Sequence, residues 1–443
     1  MIQTVRNAFK IKDIRNRILY TLLVLFLIRL GCQLPIPGVN RAYFSQWFRS
    51  LTGDSFGFFN AFTGGSFENM SIFALNITPY ITSSIIIELL TIAIPYLEEK
   101  QRDGQEGRKV LVAITRYVTI GLALLESSAM AIGFYNQGIM DYTMNPWLTG
   151  LMIVTGLTAG SALLMWFGEQ ITEKGVGNGI SVVLTINIIS RMPSDMASLF
   201  EMFVKSRFQD GKALIGIVAA LIILAVIIGT IILTVVLNGA ERRIPVQYAK
   251  KVAGRKMVGG ATSTIPLKVN TGGVIPIIFA SSLMQFPIVI CQIFGIQGGT
   301  SLGGHILRML NSGNWCNPAQ PVYTIGLLIY ILLVVFFAYF YTSITFNPLE
   351  VSENLKKQGG FIPGIRPGRP TTEYLTNILN YIIFIGAVGL TIVAVIPIFF
   401  NGVFGANVSF GGTSLIIVVG VILETLKQIE SRMLVRSYKG FLG

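Results

Sequence analysis

Residues 213–238 read ALIGIVAALIILAVIIGTIILTVVLN, 26 positions without an ionisable side chain. A helix rises about 1.5 Å per residue, and about 20 apolar residues cross the roughly 30 Å of bilayer hydrocarbon. Just beyond this stretch, loop 239–271 carries Arg242, Arg243, Lys250, Lys251, Arg255, Lys256 and Lys268. An apolar run that ends in a basic cluster marks a span whose end stays on the cytosolic side.

Working outward, the same reading gives ten spans, at 18–35, 73–94, 111–134, 147–170, 176–192, 213–238, 272–293, 321–345, 374–400 and 412–430, the fifth being the shortest. The expected fold class is therefore an all-α integral membrane protein. Of the 34 Lys and Arg, 25 fall on the ends and loops of one side and seven on the other, while Arg29 and Arg116 sit inside spans. Five basic residues before the first span place the N-terminus inside. An even number of spans returns the C-terminus there, with Lys427, Arg432, Arg436 and Lys439. Outside loops 135–146 and 401–411 contain no Lys or Arg. Loop 193–212 departs from the pattern with Lys205, Arg207 and Lys212, diluted by Asp195, Glu201 and Asp210. The ends of the first spans normally dominate orientation.

Composition agrees. The 443 residues are 52% apolar and only 12% charged, with a mean hydropathy of +0.66. The net charge of +13 sits in loops of alternating side, which fits topology determinants and docking surfaces for acidic partners better than a nucleic-acid groove. Cys32, Cys291 and Cys316 form no CxxC pair, and His305 is the single histidine, so neither a structural metal nor a disulfide framework is expected. Lys10, Lys12, Arg15 and Arg17 precede an apolar run that holds Arg29 and no small-residue cleavage site, so no cleaved signal is expected. Gly175–Gly179 has glycines but neither the preceding strand nor the lysine of a phosphate loop. No HExxH and no pair of intramembrane aspartates occurs, so the chain is expected to be no enzyme and to use no cofactor.

Two inside loops are longer than connection requires. Loop 239–271 has two β-prone stretches around Gly254 and Gly259–Gly260 and reads as a protruding hairpin. Loop 346–373 opens on Asn347-Pro348, a helix start, and runs to the turn-rich tip Pro363-Gly364-Ile365-Arg366-Pro367-Gly368. Ordered loops of this length usually bind something. Residues 55–70 (SFGFFNAFTGGSFENM) are apolar but too short and Gly-rich to span. They fit either a half-inserted segment buried in protein or an amphipathic segment on the membrane surface.

Several runs carry a resemblance. They are Leu34-Pro35-Ile36-Pro37-Gly38, Phe62-Thr63-Gly64-Gly65, Thr78-Pro79-Tyr80-Ile81, Gly168-Glu169-Gln170-Ile171-Thr172-Glu173, Gly177-Asn178-Gly179-Ile180-Ser181, Pro266-Leu267-Lys268-Val269-Asn270, Asn354-Leu355-Lys356-Lys357 and Phe410-Gly411-Gly412-Thr413-Ser414-Leu415. In this order the chain resembles the SecY family, the channel subunit of the Sec protein translocase. The resemblance implies a clamshell of two pseudo-symmetric five-span halves around a central pore, 1–192 and 213–443, hinged at 193–212. It implies a pore ring at Ile77, Ile81, Ile180, Leu184, Ile278 and Ile417. It implies a plug over 55–70, including Gly57, Phe59, Asn60, Phe62, Gly64 and Gly65. A lateral gate would lie between the second and seventh spans, near Thr82, Asn270 and Phe286. Docking would fall to Arg242, Arg243, Lys250, Arg255, Lys256 and Arg366. The implied partners are SecE and SecG, the ATPase SecA or a ribosome, signal sequences, unfolded preproteins and lipid, at a plasma membrane.

The ring residue types are chemically sensible. Ile77/Ile81 and Ile180/Leu184 are i,i+4 pairs, each on one helix face. Branched hydrocarbon offers a hydrated ion no replacement for its water, and a narrow apolar neck dewets. Glu88 is read from geometry alone. It falls within about 40° of the Ile77/Ile81 face and about 10 Å inward of Ile81. An acid in a span faces protein or water, so Glu88 either lines a wet inner funnel or pairs with a neighbouring span. Glu126 and Arg29 are assigned to packing or anchoring. A secondary transporter would need clustered midplane carboxylates, which are missing here, and a passive scaffold would tolerate polar residues at Ile81 or Ile278.

Overall fold

The computed structural model describes residues 2–51, 63–140, 145–205, 213–248, 251–253, 256–258, 262–293, 302–318, 320–404 and 412–439. The first half contains α1 (Ile2–Lys10), α2 (Lys12–Gly31), α3 (Arg41–Leu51), α4 (Thr78–Ala93), α5 (Pro95–Arg102), α6 (Gly104–Asn136), α7 (Pro146–Lys174) and α8 (Gly179–Leu199). The second contains α9 (Ala213–Gly239), α10 (Ile275–Ile293), α11 (Leu302–Leu310), α12 (Ile325–Thr345), α13 (Pro348–Lys357), α14 (Arg369–Phe404) and α15 (Gly412–Lys439). Helices α2, α4, α6, α7, α8, α9, α10, α12, α14 and α15 occupy the ten expected spans. Among the described residues, five helices are long and apolar enough to cross a bilayer by themselves, six if α4 and α5, bent by 102°, count as one.

Local chemistry sets the helix starts. Asn145 caps α7 by accepting from the Trp147 N–H, with Pro146 opening the first turn. Asn347 accepts from Leu349 and Glu350 N–H ahead of Pro348, so α13 begins where the Asn-Pro pair predicts.

Two spans differ from expectation. The second was expected from 73, but α4 begins at Thr78. Residues 64–77 instead run as turns, apart from the Pro35–Ser71 bridge, with φ +45° at Met70 and +52° at Asn76. This irregular chain is buried in protein: Thr63, Ser66, Met70, Ala74, Asn76 and Ile77 are each at most 1% exposed. That is the condition under which non-helical backbone survives at membrane depth. The fifth span was expected to stop at 192 and to leave a loop, yet α8 runs through Pro193 to Leu199 and a π-turn continues to Lys205. The hydroxyls of Ser190 and Ser194 turn back onto the carbonyls of Asn187 and Arg191, local bonds that flank the proline.

Within loop 239–271, β1 (Glu241–Tyr248) pairs antiparallel with β4 (Thr262–Lys268), from Glu241↔Lys268 to Gln247↔Thr262. Between them β2 (Lys251–Ala253) pairs with β3 (Lys256–Val258), completing the hairpin. The two long loops then join. The strand β5 (Gly360–Phe361) adds to the free edge of β1 through Gln247↔Phe361 and Tyr248↔Gly360. Ile244, Val246 and Leu267 turn inward and pack with Leu355, Ile362, Leu375 and Ile378. Leu267→Ala should cost this unit about 2–4 kcal/mol. Limited proteolysis of the inside face reads it as faster cleavage within 239–271, with the spans left intact.

Among the described residues two apolar clusters join the halves. In one, Ala8, Ile14 and Val176 pack with Ile429 of α15. In the other, Leu184 and Ile188 of α8 pack against Ile417, Val418 and Val421 of α15, flanked by Ile81, Val274 and Ile278.

Candidate functional site

Four of the six expected ring residues, Ile81, Leu184, Ile278 and Ile417, come together in that cluster, one each from α4, α8, α10 and α15. Ile77 and Ile180 stand behind them. Ile77 precedes the first turn of α4, is fully buried, and packs with Phe73, Leu164 and Val183, with Ile180 against the same group. Ile81 touches both clusters. Its N–H bonds the Ile77 carbonyl at 3.0 Å, so the two residues are linked through one helical turn.

On one side of this neck lies a cavity of about 520 Å³. Ile81, Ile180 and Ile278 line its apolar end, and Glu88, Arg116, Glu169, Glu173 and Asn178 supply polar groups. Glu173 and Thr172 of this lining fall within the stretch 171–175 that was expected as an inside loop. Glu88 lines this cavity and enters no ion pair among the described residues. Its neighbour Arg116 does pair: Nε donates to Glu169 Oε1 at 2.7 Å, tying α6 to α7. The sequence reading flagged Arg116 only as a charge inside a span; the partner is 53 residues away and carries no local signal. A cysteine at 88, with Cys32, Cys291 and Cys316 replaced by serine, should react with a membrane-impermeant thiol reagent added from the cytosolic side. A cysteine at 88 that stays unlabelled removes it from the vestibule.

The expected gate residues sit on different elements. Thr82 is half-buried on α4. Asn270 is buried and donates through Nδ2 to Asn238 Oδ1 at 2.8 Å, at the end of α9. The Phe286 side chain lies outside the described residues. Helix α10 contacts α6, and its Ile278 packs in the cluster that holds Ile81 of α4 and Leu184 of α8. Of the expected plug, Gly57, Phe59, Asn60 and Phe62 lie outside the described residues. Gly64 and Gly65 hold φ of +62° and +82°. A Cβ on Gly64 would stand 2.8 Å from the Asn187 carbonyl oxygen, so glycine is required there for space as well as conformation.

The expected docking arginines are not equivalent. Arg242 is exposed. Arg243 donates twice to Glu241 Oε1, at 2.9 and 2.7 Å. Those hydrogen bonds, with the charges of Arg243, Lys427 and Lys268, hold the Glu241 carboxyl below its ordinary range. The charge of Arg243 is thus already engaged by Glu241. Lys250 and Arg255 lie outside the described residues, as does the Lys256 side chain. Arg366 is exposed and enters no ion pair among the described residues. Its backbone is held: the Thr371 hydroxyl donates to its carbonyl at 2.8 Å, and Ser352 donates to the Gly368 carbonyl at 3.0 Å. Gly364 and Gly368 take φ of +84° and +105°, which bends the tip on both sides of the arginine.

Comparison with known proteins gives concordant results. The family described as SecY matches residues 71–426. The protein translocase subunit SecY of Halalkalibacterium halodurans is 41% identical over 450 residues, covering 100% of both chains. A solved protein-conducting channel superposes with a TM-score of 0.63 at 18% identity, covering 94% of this chain and 92% of that one. Sec61 in a canine ribosome-channel complex from the endoplasmic reticulum gives a TM-score of 0.60 at 18% identity, with the same coverage of 94% and 92%. At such identities these two likenesses speak for the fold alone.

Proposed function

The chain belongs to the SecY family, a family of multi-pass membrane channel subunits, and on that premise we propose that it forms a passive, gated conduit for unfolded polypeptides. The observation that carries the reading is the neck: four branched apolar side chains from four helices of both halves, with a polar cavity on one side. Such a waist refuses ions because it cannot replace their hydration. It yields to a threading chain because it binds nothing specifically.

In this reading the pore ring is Ile81, Leu184, Ile278 and Ile417, with Ile77 and Ile180 as backing. Residues 55–70 close the other side as a plug. Two halves, 1–192 and 213–443, hinge near 193–212 and part between the second and seventh spans, where Thr82, Asn270 and Phe286 contribute. A signal with ten Leu or Ile residues gains about 3–6 kcal/mol on meeting lipid through that seam, at about 0.3–0.6 kcal/mol each. That is enough to sort signal and stop-transfer segments sideways.

The chain catalyses nothing in this scheme and needs no cofactor, so the driving force comes from outside. Loops 239–271 and 346–373, joined by β5, offer one basic surface to SecA or to a ribosome, whose RNA is acidic. SecE and SecG brace the halves, the membrane is the plasma membrane, and both termini face the cytosol. The test is reconstitution in proteoliposomes. A protected secretory precursor should appear in the lumen only when a motor or ribosome is supplied. Uptake of a small solute by the chain alone would identify a transporter instead.

A further inference from the structure

A buried polar network sits beside the neck, on the side away from the vestibule. Asn187 lies three residues beyond Leu184 and seven beyond Ile180, so α8 presents all three on one face. Asn76 immediately precedes Ile77. The Asn187 Nδ2 donates to Asn76 Oδ1 at 3.1 Å, and both residues are 1% exposed. Arg29, in the last turn of α2, donates through Nη1 to Asn187 Oδ1 at 3.3 Å. The Ser161 hydroxyl of α7 donates to the Asn76 carbonyl at 3.3 Å. Four parts of the chain therefore converge here: α2, the irregular segment 64–77, α7 and α8. Asn76 is held in the left-handed region, at φ +52°, a conformation asparagine tolerates better than most residues. Gly64 is seated against the same group, its absent Cβ lying 2.8 Å from the Asn187 carbonyl oxygen and 3.0 Å from Arg29 Nη1.

We propose that Asn76, Asn187 and Arg29 form a polar clasp that positions Ile77 and the root of segment 55–70 against α8 in the closed channel. The clasp touches no threading chain; it acts through the neck residues it aligns. It rests on the reading of that neck as the ion seal. The clasp adds a polar contact to the apolar packing that seats 64–77 against α2 and α7. That segment's own backbone bonds are short turns, such as Met70 N–H to the Phe67 carbonyl and Asn76 N–H to the Phe73 carbonyl, and the buried amides add specific bonds that tie it to α8. Gly64 and Asn76 lie at the two ends of the turn segment, so the clasp holds it at both.

The experiment measures resting ion leak in proteoliposomes, normalised to folded, protease-resistant channel. Asn187→Ala and Asn76→Gly, the latter suited to the positive φ, should each raise leak roughly three- to tenfold, the range set by an intramembrane polar contact. The double variant should leak no more than the worse single. Asn187→Asp should stay near wild type, because its oxygens still accept from Arg29 and from a turned Asn76 amide. Ile81→Asn serves as the reference for the neck. If Ile81→Asn leaks while both clasp variants remain tight, the clasp is overturned and the neck stands. Additive leak in the double, or leak in Asn187→Asp equal to Asn187→Ala, overturns it as well. A tight Ile81→Asn channel brings down the neck and the clasp together.

Discussion

Ile81→Asn is expected to turn a resting channel that holds an ion gradient into one that dissipates it, with conductance rising at least about tenfold. A factor of ten corresponds to about 1.4 kcal/mol, while an unsatisfied polar group in an apolar setting costs about 1–3 kcal/mol or more. An amide at this position is therefore driven to recruit water. The site is chosen for its place rather than its type. Ile81 is the residue that packs in both the first-half core and the cluster between halves, and its side chain also lines the cavity. One carboxamide there hydrates the neck from the vestibule side, and a wetted neck conducts. Ile81→Leu should remain tight, because bulk and apolarity are retained. The measurement is dye or potential decay in liposomes without motor or precursor. An Asn variant as tight as the parent would show that the seal lies elsewhere.

Arg366→Glu is expected to abolish driven translocation, by roughly thirtyfold or more, while leaving membrane insertion and folding unchanged. Losing one partner of a desolvated charge pair costs about 2–5 kcal/mol, and reversal adds repulsion. The insulation from folding follows from the geometry. The side chain is exposed and unpaired among the described residues, whereas the tip is held through backbone carbonyls of Arg366 and Gly368. Those bonds do not change with the side chain. Arg366→Lys should recover part of the activity, since a point charge replaces a planar fork. Equal export by the parent and the Glu variant would remove Arg366 from docking. Arg243 gives a weaker effect on the same assay, because Glu241 already occupies its guanidinium.

Much of the architecture was legible before folding was considered, and the misses share a cause. The ten spans and the hairpin over 239–271 follow from local composition. So does the start of α13 at Asn347-Pro348, because a cap needs only its own next three residues. The addition of β5 to β1 was not legible. It uses backbone groups of Gly360 and Phe361, whose side chains carry no message about a partner more than 100 residues earlier. The late start of α4 was hidden in the same way. Residues 73–77 are as apolar as a span, and only packing against α2 and α7 forces the turns at Met70 and Asn76. Within the site, the i,i+4 spacing set Ile77 with Ile81, yet only Ile81 reaches the cluster between halves, since Ile77 is consumed by the core of the first half. The Arg116–Glu169 pair and the Asn76–Asn187 contact link residues 53 and 111 positions apart, beyond any periodicity.

The sequence by itself determined the solvent, the apolar spans and the loops in which the basic residues gather. Transfer of apolar residues into lipid and the placement of Lys and Arg are additive, short-range quantities that any stretch carries alone. Tertiary structure alone decided which isoleucines face one another, which buried amides bond, and how two distant loops become one surface. Those outcomes depend on shape complementarity between elements far apart in the chain, and no window of sequence contains both sides of such a contact.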